Sequence, residues 1–128
     1  RSVFEGVALH ARWMLESVRK CGFSDPVLRA IGGGAKSPLW MQTYADACGL
    51  TVEAVEEPQE SGARGAALVA ALGLGEHRDW ASLRDAVKVR ETYTPRPEYA
   101  RVYDEAFEDL KEIYSSLKKF YRRVNSGD

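Results

Sequence analysis

Residues 27 to 49 read Val-Leu-Arg-Ala-Ile-Gly-Gly-Gly-Ala-Lys-Ser-Pro-Leu-Trp-Met-Gln-Thr-Tyr-Ala-Asp-Ala-Cys-Gly, and this stretch decides the fold. Val27 to Ile31 is short, apolar and bounded by breakers, which suits a buried parallel strand. Ser37 then stands as a helix cap with Pro38 at the first helical position, where its missing N–H costs nothing. Gly49 stops that helix, and Thr51 to Val55 gives a second strand. Strand, helix and strand make a βαβ unit with a parallel pair.

Three successive glycines, Gly32, Gly33 and Gly34, lie between the first strand and the helix. They expose bare backbone at the carboxyl end of the strand, where ligands sit in open α/β sheets. Glycine admits positive φ and lets a ligand lie against the chain with no Cβ in the way. Amides in such a turn, with the helix N-terminus beyond, favour anions such as phosphate. The bland reading is a tight turn and nothing more. Two phosphate motifs fail: a P-loop needs glycine where Ala30 and Ala35 stand, and the dinucleotide fingerprint needs it at Ser37.

Working outward, residues 2 to 20 carry Val3, Val7, Ala8, Ala11, Met14, Leu15 and Val18 at helical spacing. Ser2 is placed as its N-cap, with Glu5 completing a capping box. Gly6 lowers helix propensity, which close packing against a neighbour would explain. Cys21 to Pro26 breaks the helix, with Gly22 as its C-cap. Within the second helix, Trp40, Tyr44 and Cys48 share one side, extended by Met41 and Ala45, and Trp40 reads as a core aromatic. Asp46 reads as a surface or capping residue. In the second strand Glu53 interrupts the apolar pair Val52 and Val55.

Residues 56 to 60 form a solvated acidic connection without the fixed spacing that metal binding needs. Ser61 caps a third helix running to about Leu72, slim because of Gly62, Gly65, Ala66, Ala67, Ala70 and Ala71. Small side chains let its backbone approach a sheet or a ligand. Residues 76 to 92 are polar with a short helical pattern at Trp80, Leu83 and Val87, and Thr94-Pro95-Arg96-Pro97 is the best linker candidate. From Pro97 to Val124 an apolar seam of Tyr99, Tyr103, Ala106, Leu110, Ile113, Leu117, Phe120 and Val124 marks the longest helix. Such a seam suits a coiled-coil homodimer, but its aromatic width, with Phe107, Tyr114 and Tyr121, fits packing on the chain's own body better. Lys118, Lys119, Arg122 and Arg123 complement the helix C-terminus.

At 128 residues the chain is one small unit, 45% apolar and 29% charged. A net charge of −1 argues against a nucleic-acid or membrane surface. No apolar run approaches the ~20 residues of a membrane span, and no signal peptide is visible. Cys21 and Cys48 read as reduced cytosolic thiols, packed rather than reactive, and His10 and His77 as isolated surface or packing residues. Arg1 stands where a natural start has methionine and already reads as helix interior, so the expected parent is a longer chain.

Gly-Gly-Gly-Ala-Lys-Ser-Pro-Leu-Trp with Gln42, Ala45, Asp46 and Gly49 resembles the adenine-nucleotide loop and helix of the FGGY carbohydrate kinases, the xylulokinase branch in particular. Glu60-Ser61-Gly62-Ala63-Arg64-Gly65-Ala66-Ala67-Leu68 resembles the family's next helix, and Tyr93-Thr94-Pro95 with the long helix its C-terminal tail. The resemblance implies a ribonuclease H-like, actin-like ATPase half-domain: residues 1–75 as part of the nucleotide-binding domain, 76–96 as a connection, 97–128 as long helix and tail. It implies ATP or ADP as ligand, Mg2+ in the full enzyme, and a cytoplasmic sugar kinase whose sugar site and catalytic aspartate lie upstream. Gly33, Gly34 and Ala35 would pass under ribose and phosphate, with Ser37 and Pro38 near the adenine and Gly32 opening the loop. Some family members have asparagine where Pro38 stands, and proline offers no side-chain hydrogen bond to the base. Lys36 either reaches a phosphate or points to solvent, the second being the expectation, and the slim third helix would also serve as pocket wall. No catalytic residue and no metal ligand is expected within the chain. Two other classes stay open on the residues alone: a non-catalytic nucleotide-binding module, and an interaction protein whose long helix dimerises.

Overall fold

The computed structural model describes residues 1–22 and 24–125, so Phe23 of the first helix break and the last three residues of the tail lie outside the described residues. The elements run α1 (Ser2–Lys20), β1 (Val27–Ala30), a 3-10 turn (Gly33–Lys36), α2 (Pro38–Cys48), β2 (Thr51–Val55), a 3-10 turn (Pro58–Glu60), α3 (Ser61–Gly73), α4 (Trp80–Ala86), β3 (Val89–Tyr93), a 3-10 turn (Pro97–Tyr99) and α5 (Ala100–Asn125). Among the described residues the strands form one mixed sheet in the order β1-β2-β3. β1 runs parallel to β2 with Val27 opposite Thr51, and β3 runs antiparallel to β2 with Val52 opposite Tyr93.

The parallel register explains the glutamate that interrupts β2. Arg29 lies directly opposite Glu53, and Arg29 Nε meets Glu53 Oε2 at 2.9 Å, an opposite-charge cross-strand pair. Val52 and Ala54 of β2 turn inward and are fully buried, and an irregularity between Ala54 and Val55 lets Val55 bury as well.

α2 is the middle layer. Met41 and Ala45 pack on Val52, Ala54 and Tyr93 of the sheet, while Ala47 on the other side packs with Ala8 and Leu9 of α1 and Tyr103 and Phe107 of α5. Tyr44 joins both clusters. Alanines at 45 and 47 allow this double packing because they hold the layers close at no side-chain entropy cost. Helix signals local to α2 behave as the sequence implies: Ser37 Oγ accepts from Trp40 N at 3.3 Å with Pro38 at the start, and Gly49 ends the helix at φ 63°.

Several expectations need correction. Ser2 does not cap α1; Arg1 precedes the helix and pairs with Glu5 at 3.0 Å. Ser61 is likewise the first residue of α3, its hydroxyl donating back to the Pro58 carbonyl at 2.9 Å. A Cβ added at Gly6, Gly62 or Gly65 would meet nothing within 4 Å, and α3 has half-buried but no buried residues, so close packing does not explain these three glycines among the described residues. Residues 89–93, read as part of a polar connection, form β3. Cys21 is exposed rather than packed, whereas Cys48 is buried.

The largest correction concerns Asp46. Its side chain is fully buried and takes Arg96 Nη2 at 2.6 Å and Nε at 3.1 Å, the Arg96 backbone N–H at 2.9 Å and Gln42 Nε2 at 2.9 Å. A buried carboxylate needs such a donor set to replace water. Gln42 also donates to the Thr94 carbonyl at 2.9 Å. The proline-rich segment read as a linker is therefore strapped to α2 and sets where α5 starts.

α5 packs on the body only through its first half. Tyr103 and Phe107 are buried and Leu110 half-buried, whereas Ile113, Leu117, Phe120 and Val124 are exposed. Farther along, Tyr114 makes an edge contact with Trp13 of α1, ring centroids 5.0 Å apart. No helix of the described residues is long and apolar enough to cross a membrane.

Candidate functional site

The glycine loop leaves β1 at its carboxyl end and takes a definite shape. Gly32 sits at φ 81° and ψ −179°, a backbone region open to glycine alone. Its N–H donates to the Pro58 carbonyl at 2.7 Å. The chain then closes a 3-10 turn over Gly33–Lys36, with Ala35 N–H on the Gly32 carbonyl at 3.2 Å and Ser37 N–H on the Gly34 carbonyl at 3.1 Å. A 3-10 turn leaves its leading amides, here those of Gly33 and Gly34, without a partner inside the turn.

Gly32 and Gly34 are needed for different reasons. Gly34 has an ordinary backbone, but a Cβ added there would lie 2.8 Å from Cζ3 of Trp40. The Trp40 ring itself stacks on Phe4, at 5.0 Å, and on Tyr44, at 6.1 Å. Trp40 is thus a packing residue, as its spacing implies, and it forms the floor of the loop. Its Nε1 is buried without a hydrogen-bond partner among the described residues.

The loop has two faces. On the inner one, Ala35 is 1% exposed and Gly34 and Ala35 join Leu28, Met41 and Tyr44 around a mostly apolar cleft of about 300 Å³. On the outer one Gly33, Lys36 and Pro38 are exposed. Ser37 is half-buried and occupied by its capping bond, so its hydroxyl is committed to α2. Gly32, Gly33, Gly34, Ala35, Ser37 and Pro38 are therefore contiguous but not equivalent, and Gly33 and Pro38 are the two of them that lie open.

Three outside groups hold this loop, and the sequence reading missed all three. Arg90 Nη2, from β3, donates to the Ala35 carbonyl at 2.8 Å. The Pro58 carbonyl takes the Gly32 amide, and Gln59 Oε1 takes Lys36 Nζ at 2.6 Å. Lys36 does not simply point to solvent, as was expected. Glu57, just before this second loop, stands at φ 44°, a left-handed conformation that a non-glycine residue adopts only when its surroundings hold it there. Arg64 of α3 supplies the hold, reaching the Glu56 carbonyl and Glu57 Oε2, both at 2.9 Å.

The arrangement is chemically a pinned backbone turn presenting an open glycine and one lysine ammonium. Burial pushes the Cys48 thiol up to about 11, and Cys48 lies among the buried residues of α2, away from the loop. Among the described residues no group of three or more His, Cys, Asp or Glu side chains could hold a metal ion.

Comparison with known proteins places this geometry. The family model described as the FGGY family of carbohydrate kinases, C-terminal domain, matches residues 1–74. A probable L-xylulose kinase of Pasteurella multocida is 31% identical over 118 residues, 92% of this chain and 23% of that protein. A ribulokinase of Mycolicibacterium smegmatis is 34% identical over 116 residues, 89% of this chain and 20% of the relative. Among solved structures, the crystal structure of xylulose kinase from Rhodospirillum rubrum superposes with a TM-score of 0.81 at 34% identity, over 95% of this chain and 25% of that one. The chain spans about a quarter or less of the length of these relatives.

Proposed function

The chain belongs to the FGGY family of carbohydrate kinases, and from that membership we propose that it is the nucleotide-binding C-terminal part of an ATP-dependent, xylulokinase-like enzyme that phosphorylates a sugar hydroxyl. The observation that carries this reading is the glycine loop at the carboxyl end of β1, pinned by Arg90, Pro58 and Gln59 with Gly33 left open. Phosphoryl transfer is mostly positioning and charge stabilisation, and a turn fixed from both sides is a positioning device.

ATP supplies the phosphoryl group. On this reading Gly33, with no Cβ, lets ribose and phosphate approach the backbone. Gly34 and Ala35 keep the turn seated on Trp40, and Pro38 faces the adenine, giving base contact without a hydrogen bond. The Mg2+ expected of the full enzyme finds no ligand set among the described residues of this chain. The sugar site and the base for the attacking hydroxyl are assigned to sequence outside the chain. We take residues 1–75 together with β3 as one nucleotide-binding unit and α5 as a tail fastened by Asp46 and Arg96. We infer a cytoplasmic setting, a reading supported by the free thiols of Cys21 and Cys48.

The test is turnover. The full-length protein with ATP is offered D-xylulose, L-xylulose and L-ribulose, and ADP release is followed by a coupled assay. Sugar-dependent ADP with the whole protein and none above blank with the 128-residue chain support the proposal. ATP hydrolysis indifferent to sugar refutes the kinase assignment, and turnover by the chain alone refutes the claim that its catalytic groups lie elsewhere.

A further inference from the structure

We propose that Lys36 is the cation that meets the nucleotide phosphates, and that Gln59 holds it in the nucleotide-free state and hands it over on binding. The proposal rests on the nucleotide reading above and adds to it a residue pair and a switch.

Lys36 Nζ donates to Gln59 Oε1 at 2.6 Å across 23 positions of sequence, and both side chains are exposed. The acceptor is a neutral amide, and among the described residues Lys36 has no carboxylate partner. An ammonium so placed is oriented but not neutralised. A phosphate oxygen at the same face carries a full negative charge, so it adds to the hydrogen bond a Coulombic attraction that the neutral amide lacks, and phosphate outcompetes the amide. Lysine suits such an exchange, because its donors sit on a flexible four-carbon stem.

Gln59 is itself held in place. It follows Pro58, whose carbonyl accepts both the Gly32 amide at 2.7 Å and the Ser61 hydroxyl at 2.9 Å. Arg64 fixes the left-handed Glu57 before it through two bonds of 2.9 Å. A Cβ at Gly33 would be 3.7 Å from Gln59 Nε2, so the amide lies beside the open glycine of the loop. The second loop therefore sets Gln59 at the spot from which Lys36 is released toward a ligand on Gly33.

The experiment is a binding cycle on the full-length protein, titrating ADP and adenosine calorimetrically into wild type, Lys36→Met, Gln59→Met and the double variant. Lys36→Met is expected to weaken ADP about tenfold, the size of one hydrogen bond to a charged group, and to leave adenosine unchanged. Gln59→Met removes the competing acceptor and is expected to tighten ADP about threefold, again without effect on adenosine. In the Lys36→Met background the second change is expected to do nothing. Equal ADP binding in wild type and Lys36→Met overturns the hand-over and leaves the nucleotide reading standing. An effect of Gln59→Met that persists without Lys36, or that extends to adenosine, makes Gln59 a structural residue and also overturns it. No ADP binding by wild type overturns both.

Discussion

Gly34→Ala tests the packing that gives the glycine loop its shape. Gly34 needs no special φ, so alanine strains nothing in the backbone. Its new methyl, however, would stand 2.8 Å from Cζ3, 3.0 Å from Cε3 and 3.4 Å from Cη2 of Trp40. The ring is half-buried and lines the cleft beside the loop, so a shift away from the methyl disturbs its stacking on Phe4 and Tyr44. Overpacking of this kind costs about 1–3 kcal/mol, and a close approach to a half-buried ring that also stacks on two aromatics belongs near the middle, about 2 kcal/mol. At a urea slope of roughly 2 kcal/mol per molar, the unfolding midpoint of the chain falls by about 1 M. The same substitution in a Trp40→Leu background, where the ring edge is gone, is expected to cost almost nothing, a coupling of about 2 kcal/mol between the two positions. Circular dichroism at 222 nm during urea titration of the four chains reads this directly. An identical loss in both backgrounds would refute the reasoning and place the glycine requirement in the backbone.

Other consequences follow from burial. Because Cys48 is buried with its thiol raised from 9.0 to about 11, its contribution to stability is complete below pH 9 and is lost as pH rises through 11; Cys48→Ala should flatten that decline in urea midpoints. A thiol reagent at pH 8 should modify Cys21, which is exposed, at once and Cys48 only on unfolding. Along α5, Phe107→Ala is expected to cost about 3–5 kcal/mol, since the ring is 1% exposed. Leu117→Glu, on the bare half, is expected to stay within about 0.5 kcal/mol. Equal losses at 107 and 117 would mean that the whole seam is packed.

What the sequence announced was what one turn of chain decides. Ser37 with Pro38 starts α2 and Gly49 ends it, because cap geometry depends on neighbours within four residues. The parallel pair was legible because its apolar strands flank a helix of the right length. β3 was not: of Val89 to Tyr93 only Tyr93 is buried, so an edge strand that is mostly solvent-facing carries no alternation to read. Asp46 looked like a surface residue because its partner, Arg96, lies 50 positions away. The loop itself was visible in its glycines, whereas the groups that pin it, Arg90, Pro58 and Gln59, come from other elements and bear no local mark. Conversely, the α5 seam was read over its full length, yet packing ends where α1 no longer reaches it, beyond Tyr114 and Trp13.

The account rests on the glycine loop as the nucleotide-binding element, and hydrogen exchange of the full-length protein with and without saturating ADP reads that loop directly. Slowed exchange is predicted in peptides covering residues 31–38 and 57–62, with residues 113–125 unchanged. Saturated protein whose exchange at 31–38 is the same as without nucleotide would contradict it.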